Sequence, residues 1–334
     1  MEWFTQRYLN KEKLPLVIEP TDPKMPPHKF FELLTRDKEK LKQSLLQEGG
    51  ILFRNFPLSS AQDFAAAIKS LDTGKFLDYI GGDSPRNKIA EGIYTSTEAP
   101  PDIKIPLHNE LSFVKNHPKH IYFFCEIPSP VGGETIIADA RKVYKAMDER
   151  VKDRFLKTSL KYVSCYYHKN KLFEYINKKQ PFHKSWMQVF ETESKQEVEM
   201  KCRENDFGFK WNQQDWLQIN QIRPAMIEHP ITKEKVWFNQ VHLFDFNPKL
   251  LGWWRYVGAK LFYFRQHTKL HEVFFSDNSY IPRKDLYKIM DVLDDQTVAF
   301  PWQKGDFLVL DNILTMHGRA PFSGKRRVLA AMTG

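Results

Sequence analysis

The sequence predicts a mainly β protein with helical insertions, and three observations lead there. Between residues 89 and 138 short apolar stretches alternate with Gly, Pro and polar turns, as in EGIYTST, HIYFFCEI and ETIIA, the pattern of strands. The strand signal returns toward the end, in KVWFN at 235–239, DFLVLDN at 306–312 and RRVLAAM at 326–332. Stretches of helical character lie between these two regions. One sheet-based core carrying insertions accounts for that order.

Taken in turn, residues 1–30 contain Pro15, Pro20, Pro23, Pro26 and Pro27 and read as an extended lead-in. TRDKEKLKQSLLQ at 36–48 reads as a helix ended by Gly49-Gly50. Ile51-Leu52-Phe53 follows as a short buried strand, and Ser59 or Ser60 is placed to cap the helix AQDFAAAIKSL. Asp139 can cap a helix across 140–149, and two more helices fit 193–204 and 283–294. No internal repeat and no long Gly/Ser- or Pro-rich linker divides the chain. A single domain over 1–334 is expected, with 142–230 as a partly helical insertion region.

Composition excludes several classes. The chain has 334 residues, 42% of them apolar, enough for a large core. Its 26 Phe, 13 Tyr and 8 Trp rule out a disordered chain. No apolar run approaches the ~20 residues of a membrane helix, and MEWFTQRYLNKEKLP lacks the apolar stretch of a signal peptide. Cys125, Cys165 and Cys202 are spaced for neither a zinc site nor a disulfide framework, so a reducing, cytoplasmic setting is expected. The formal charge is +9, but runs such as Lys169-Asn170-Lys171 and Lys178-Lys179 are short and no nucleic-acid motif is present. Neither a nucleic acid nor a membrane is expected as a partner.

The most informative segment is Ile105-Pro106-Leu107-His108-Asn109-Glu110-Leu111. On a strand, residues two apart share a face, so His108 and Glu110 would present an imidazole and a carboxylate side by side. That is two-thirds of a facial triad for ferrous iron, and His317, after the apolar strand near the end, is the candidate third ligand. A His-x-Glu by itself is common, so its surroundings carry the weight. Gly132-Gly133-Glu134-Thr135 and Arg326-Arg327 supply what a dicarboxylate co-substrate needs: a hydroxyl donor in Thr135 and a planar, bidentate cation. Arg327 is the expected inward-facing arginine, with Arg326 exposed, since adjacent strand residues face opposite ways.

Several long segments together resemble the taurine dioxygenase and clavaminate synthase superfamily. They include GGILFRNFP at 49–57, YTSTEAPPDIKIPLHNELSF at 94–113 and FFCEIPSPVGGETIIADAR at 123–141. HPITKEKVWFNQVHLF at 229–244 and PWQKGDFLVLDNILTMHGRAPFSGKRRVLAAM at 301–332 complete the likeness. Ser84-Pro85-Arg86, Thr95-Ser96-Thr97-Glu98 and Leu107-His108-Asn109-Glu110-Leu111 look like the subgroup of the syringomycin-pathway hydroxylase. The resemblance implies a double-stranded β-helix, or jelly roll. It implies His108, Glu110 and His317 as ligands of Fe(II), Thr135 and Arg327 as the clamp for the distal carboxylate of 2-oxoglutarate, and O2 as oxidant.

Taurine dioxygenase has a second arginine, four residues after its 2-oxoglutarate arginine, for the substrate sulfonate. Here Ala331 stands at that position, which argues against a taurine-like substrate. Related halogenases replace the triad carboxylate with a small residue; Glu110 is present, so hydroxylation rather than halogenation is implied. Arg86, Asn239 and His242 are candidate substrate residues, and Arg319 either approaches the iron site or braces the last turn. The implied reaction is hydroxylation of an amino acid, free or tethered to an acidic peptidyl carrier protein. The alternatives are a free small-molecule hydroxylase or desaturase, and a catalytically inactive jelly-roll binding protein.

Overall fold

The computed structural model describes residues 3–77, 86–97, 99–179, 184–262 and 269–334. Ser84, Pro85 and Glu98 of the sequence motifs lie outside the described residues. Two sheets form the core, arranged as a jelly roll. The larger has eight strands in the order Phe4–Tyr8, Leu16–Pro20, Gly50–Phe53, Phe307–Asp311, His120–Ile127, Arg327–Thr333, Ile93–Thr95 and Lys88–Ala90. The smaller has four: Val298–Phe300, Thr135–Asp139, Thr315–Arg319 and Ile105–His108.

The period of two along the central strands sorts side chains into two apolar layers. Ile121, Phe123, Cys125, Leu308, Leu310, Val328, Ala330 and Met332 pack between the sheets with Ile137 and Phe300 of the smaller one. Their neighbours Tyr122, Phe124, Phe307, Val309, Leu329 and Ala331 pack on the other face of the larger sheet, with Phe30, Leu34, Leu41 and Phe64 from three helices. Those helices are Pro27–Arg36, Lys38–Glu48 and Ala61–Leu71. Ser60 caps the third through a capping box with Asp63, and Gly49 ends the second at φ 79°, a left-handed turn that favours glycine.

The smaller sheet is buried on both faces as well. Leu107, Ile136, Ala138 and Met316 face outward into a third cluster with Tyr162, Trp186 and Trp237. That cluster joins an additional four-stranded sheet, Gly208–Trp211, Leu217–Arg223, Leu160–Tyr166 and His271–Phe275. By the same alternation, His108, Thr135 and His317 face the space between the two core sheets.

Two expectations need correction. The lead-in is not merely extended: Phe4–Tyr8 and Leu16–Pro20 pair antiparallel at the sheet edge, and Pro27–Arg36 is a helix. Its prolines sit where they break nothing, Pro15 before a strand, Pro20 at its end and Pro27 in the first helical turn. The helix expected over 140–149 is two, Ala140–Ala146 and Glu149–Leu156, because Met147 is extended and Asp148 caps the second. The insertion region contains sheet as well as helix. All three cysteines are buried thiols. Among the described residues no helix is long and apolar enough to cross a membrane.

Candidate active site

Strand Ile105–His108 ends at His108, and Glu110 stands in the turn that follows. The two side chains therefore converge through a turn rather than along one strand face as expected. Asn312 holds that turn: its Oδ1 accepts from Glu110 N at 2.7 Å, and its Nδ2 donates to Glu110 O at 2.9 Å. Asn109 donates to Asn312 O at 2.6 Å, and Gln240 donates to Asn109 O at 2.6 Å. His317 comes from strand Thr315–Arg319, directly across from His108 in the ladder. The two imidazoles lie 4.5 Å apart between centroids, and Phe123 flanks His317 at 5.2 Å.

The donor atoms of His108, Glu110 and His317 all lie within 4.8 Å of one another. His108 Nδ1 is 2.9 Å from Pro106 O, a bond in which it donates and leaves Nε2 bare for a metal. His317 Nε2 is 3.5 Å from Glu110 Oε2, and its Nδ1 is buried with no hydrogen-bond partner among the described residues. Burial, then the neighbouring His317, pushes the His108 pKa down to about 3, so the ring is neutral and able to ligate. Burial alone would raise the Glu110 carboxyl, but Arg86 and the two imidazoles outweigh it and hold it below the usual carboxylate range. Two imidazole nitrogens and one carboxylate oxygen at this separation suit a ferrous ion, with positions left over for other ligands.

The cluster opens into a cavity of about 220 Å³. Thr135 and Arg326 line it, and Arg327 does not. Arg327 turns outward, is 47% exposed in its side chain, and pairs with Glu126 at 2.7 Å. The strand phase is thus the reverse of the expectation. Arg326 falls in step with Val328, Ala330 and Met332, which pack between the sheets. Arg326 Nε donates to Gly133 O at 2.9 Å. Burial, reinforced by Arg319, pushes its pKa down to about 10, which leaves it a cation at neutral pH. Trp302 Nε1 donates to Thr135 Oγ1 at 3.1 Å, so the threonine hydroxyl proton is free to be given to a ligand oxygen. The absence of a second substrate arginine survives the correction, since the residue four beyond Arg326 is Ala330.

Of the expected substrate residues, only Arg86 borders the cavity, and its guanidinium Nη2 lies 2.7 Å from Glu110 Oε2. Asn239 is fully buried and bonds Ala225 O and Val241 N. His242, also fully buried, sits 2.9 Å from Leu107 O and braces the strand that bears His108. Sequence reasoning missed Gln240, Leu243 and Phe244, which line the cavity with Leu111 and Phe113, and His271, which reaches it from the additional sheet. Arg319 lines the cavity too, but donates to the carbonyls of Ala99, Pro100 and Ile103 and so pins the loop leading into Ile105–His108.

Residues 12–333 match the family described as "Taurine catabolism dioxygenase TauD, TfdA family". The dapdiamide synthesis protein DdaC of Enterobacter agglomerans is 33% identical over 294 residues, 87% of this chain and 84% of that protein. A clavaminate synthase-like protein of Arabidopsis thaliana is 30% identical over 341 residues, 98% of this chain and 96% of that one. Among solved structures, AAD-2 in complex with Mn(II) and N-oxalylglycine superposes with a TM-score of 0.57 at 13% identity, over 100% of this chain and 97% of that one. The chain belongs to the TauD/TfdA family and is an Fe(II)- and 2-oxoglutarate-dependent dioxygenase.

Proposed function

We propose that this dioxygenase hydroxylates an unactivated C–H bond of an amino-acid-derived substrate that is carried on a peptidyl carrier protein, in a natural-product pathway. In this reading His108, Glu110 and His317 hold the iron, and Thr135 with Arg326 holds the distal carboxylate of 2-oxoglutarate. Iron(II), when bound, supplies O2 activation coupled to oxidative decarboxylation of 2-oxoglutarate to succinate and CO2. The protein's own contribution is placement and exclusion of water. Leu111, Phe113, Leu243 and Phe244 give the substrate an apolar wall, while Ser96 and Thr97 offer hydroxyls.

The observation that carries the tethered form is the state of the cavity's cations. Arg86 is committed to Glu110, Arg319 to three backbone carbonyls, and position 330 is alanine. A free amino acid brings a carboxylate that a buried site must neutralise, whereas a carrier thioester brings none. The likeness to a protein of dapdiamide synthesis and the net charge of +9, which suits an acidic carrier, point the same way. The test offers one amino acid free and as a carrier thioester over a salt series. Faster turnover of the thioester, declining with salt, is the expected result. Efficient, salt-insensitive turnover of the free amino acid refutes it.

Because Glu110 occupies the position that halogenases vacate, products are expected to be hydroxylated or desaturated even in high chloride. Mass spectrometry of the product decides this, and any chlorinated product from the unaltered enzyme contradicts it.

A further inference from the structure

We infer that Arg86 is a positioning residue of the metal centre, which holds the Glu110 carboxylate in one orientation and so limits how much of the metal's coordination Glu110 can take. The inference rests on the assignment of His108, Glu110 and His317 as metal ligands.

A glutamate has one more methylene than an aspartate, and so one more torsion to fix. The Glu110 main chain is fixed by Asn312, but that leaves the carboxylate free to swing. Arg86 removes the freedom, with Nη2 2.7 Å from Oε2 and the two side chains only 6% and 4% exposed. Arg86 is itself anchored. Asn87 N donates to Thr95 Oγ1, Thr95 N donates to Asn87 O, and Ser96 N donates to Val328 O on the strand that follows Arg326. The arginine therefore reaches the carboxylate from the larger sheet, while the imidazoles come from the smaller one.

Three protein donors would leave a bound metal positions for a chelating 2-oxo acid and for O2. A carboxylate free to rotate can bind through both oxygens and close one of them. Arg86 also places a positive charge beside a site meant for a divalent cation. Repulsion between those two charges would oppose metal binding, and on this inference it outweighs the gain from fixing one side chain. Arg86 thus costs metal affinity and favours co-substrate binding.

The experiment titrates the unaltered protein, Arg86→Met and Arg86→Lys with Co(II), and then titrates the Co(II)-loaded proteins with 2-oxoglutarate, by calorimetry and visible absorption. Arg86→Met is expected to bind Co(II) about tenfold or more tighter and 2-oxoglutarate about tenfold or more weaker. Arg86→Lys, which keeps the charge, is expected to return Co(II) affinity toward that of the parent. A merely structural role would weaken both ligands together. Weaker or unchanged Co(II) binding by Arg86→Met, or unchanged 2-oxoglutarate binding, overturns the inference. Failure of the unaltered protein to bind Co(II) overturns the metal assignment and the inference with it, a result distinct from either variant outcome.

Discussion

His108→Ala, Glu110→Ala and His317→Ala are each expected to abolish formation of succinate from 2-oxoglutarate, measured with Fe(II) and ascorbate present. Loss of residues that merely support a metal ligand typically costs about 10–100-fold, so loss of a ligand itself should exceed roughly a hundredfold. The three variants should differ in stability. His317 is buried and His108 half-buried, and His108 is neutral, so removing His108 strands no charge. Glu110→Ala strands Arg86, and breaking one side of a buried ion pair costs about 3–5 kcal/mol. Glu110→Gln is the better probe of ligation, since it keeps the shape and can still accept from Arg86. Full turnover in any of these proteins would remove that residue from the ligand set.

Arg326→Met should raise the apparent KM for 2-oxoglutarate by roughly 10–100-fold, because hydrogen bonds to a charged group contribute about 1.5–3 kcal/mol. Arg327→Met should change it by less than about twofold, since an exposed ion pair contributes at most about 1 kcal/mol and this one faces Glu126 outside the cavity. The control is 2-oxopentanoate, which chelates a metal in the same way but lacks the distal carboxylate. Its affinity should be low and insensitive to Arg326→Met. Equal losses for both ligands would mean that Arg326 supports the cavity without touching the carboxylate. A larger effect at Arg327 would restore the opposite strand phase.

That phase shows where the sequence runs out. In strands with one wet face, alternation of polar and apolar residues tells which side is in. RRVLAAM is buried on both faces: Val328, Ala330 and Met332 pack between the sheets, Leu329 and Ala331 beneath the helices. Its apolar residues form an unbroken run, so nothing in the sequence distinguished Arg326 from Arg327. Elements with local signals were legible. Gly49 ends its helix and Ser60 caps the next as their chemistry requires. The convergence of His108, Glu110 and His317 was legible because the three lie in long recognisable segments. The parts that hold the trio were not. Asn312 and Gln240 act on Glu110 and Asn109 from the far side of the chain, and neither carries a mark beyond being polar. The pairing of Phe4–Tyr8 with Leu16–Pro20 was hidden by prolines that lie at strand ends rather than within them.

The bonds of Asn312 to the Glu110 turn span 202 residues of chain. Bringing so distant a pair together has an entropic cost that only the finished sheet repays. A nascent chain whose synthesis has stopped before residue 312 would have His108 and Glu110 but neither the knot that sets their turn nor His317. If His108, Glu110 and His317 hold the iron, its loading awaits the folding of the C-terminal strands. On that ligand set the unfinished chain would offer two of the three donors and no complete ferrous site.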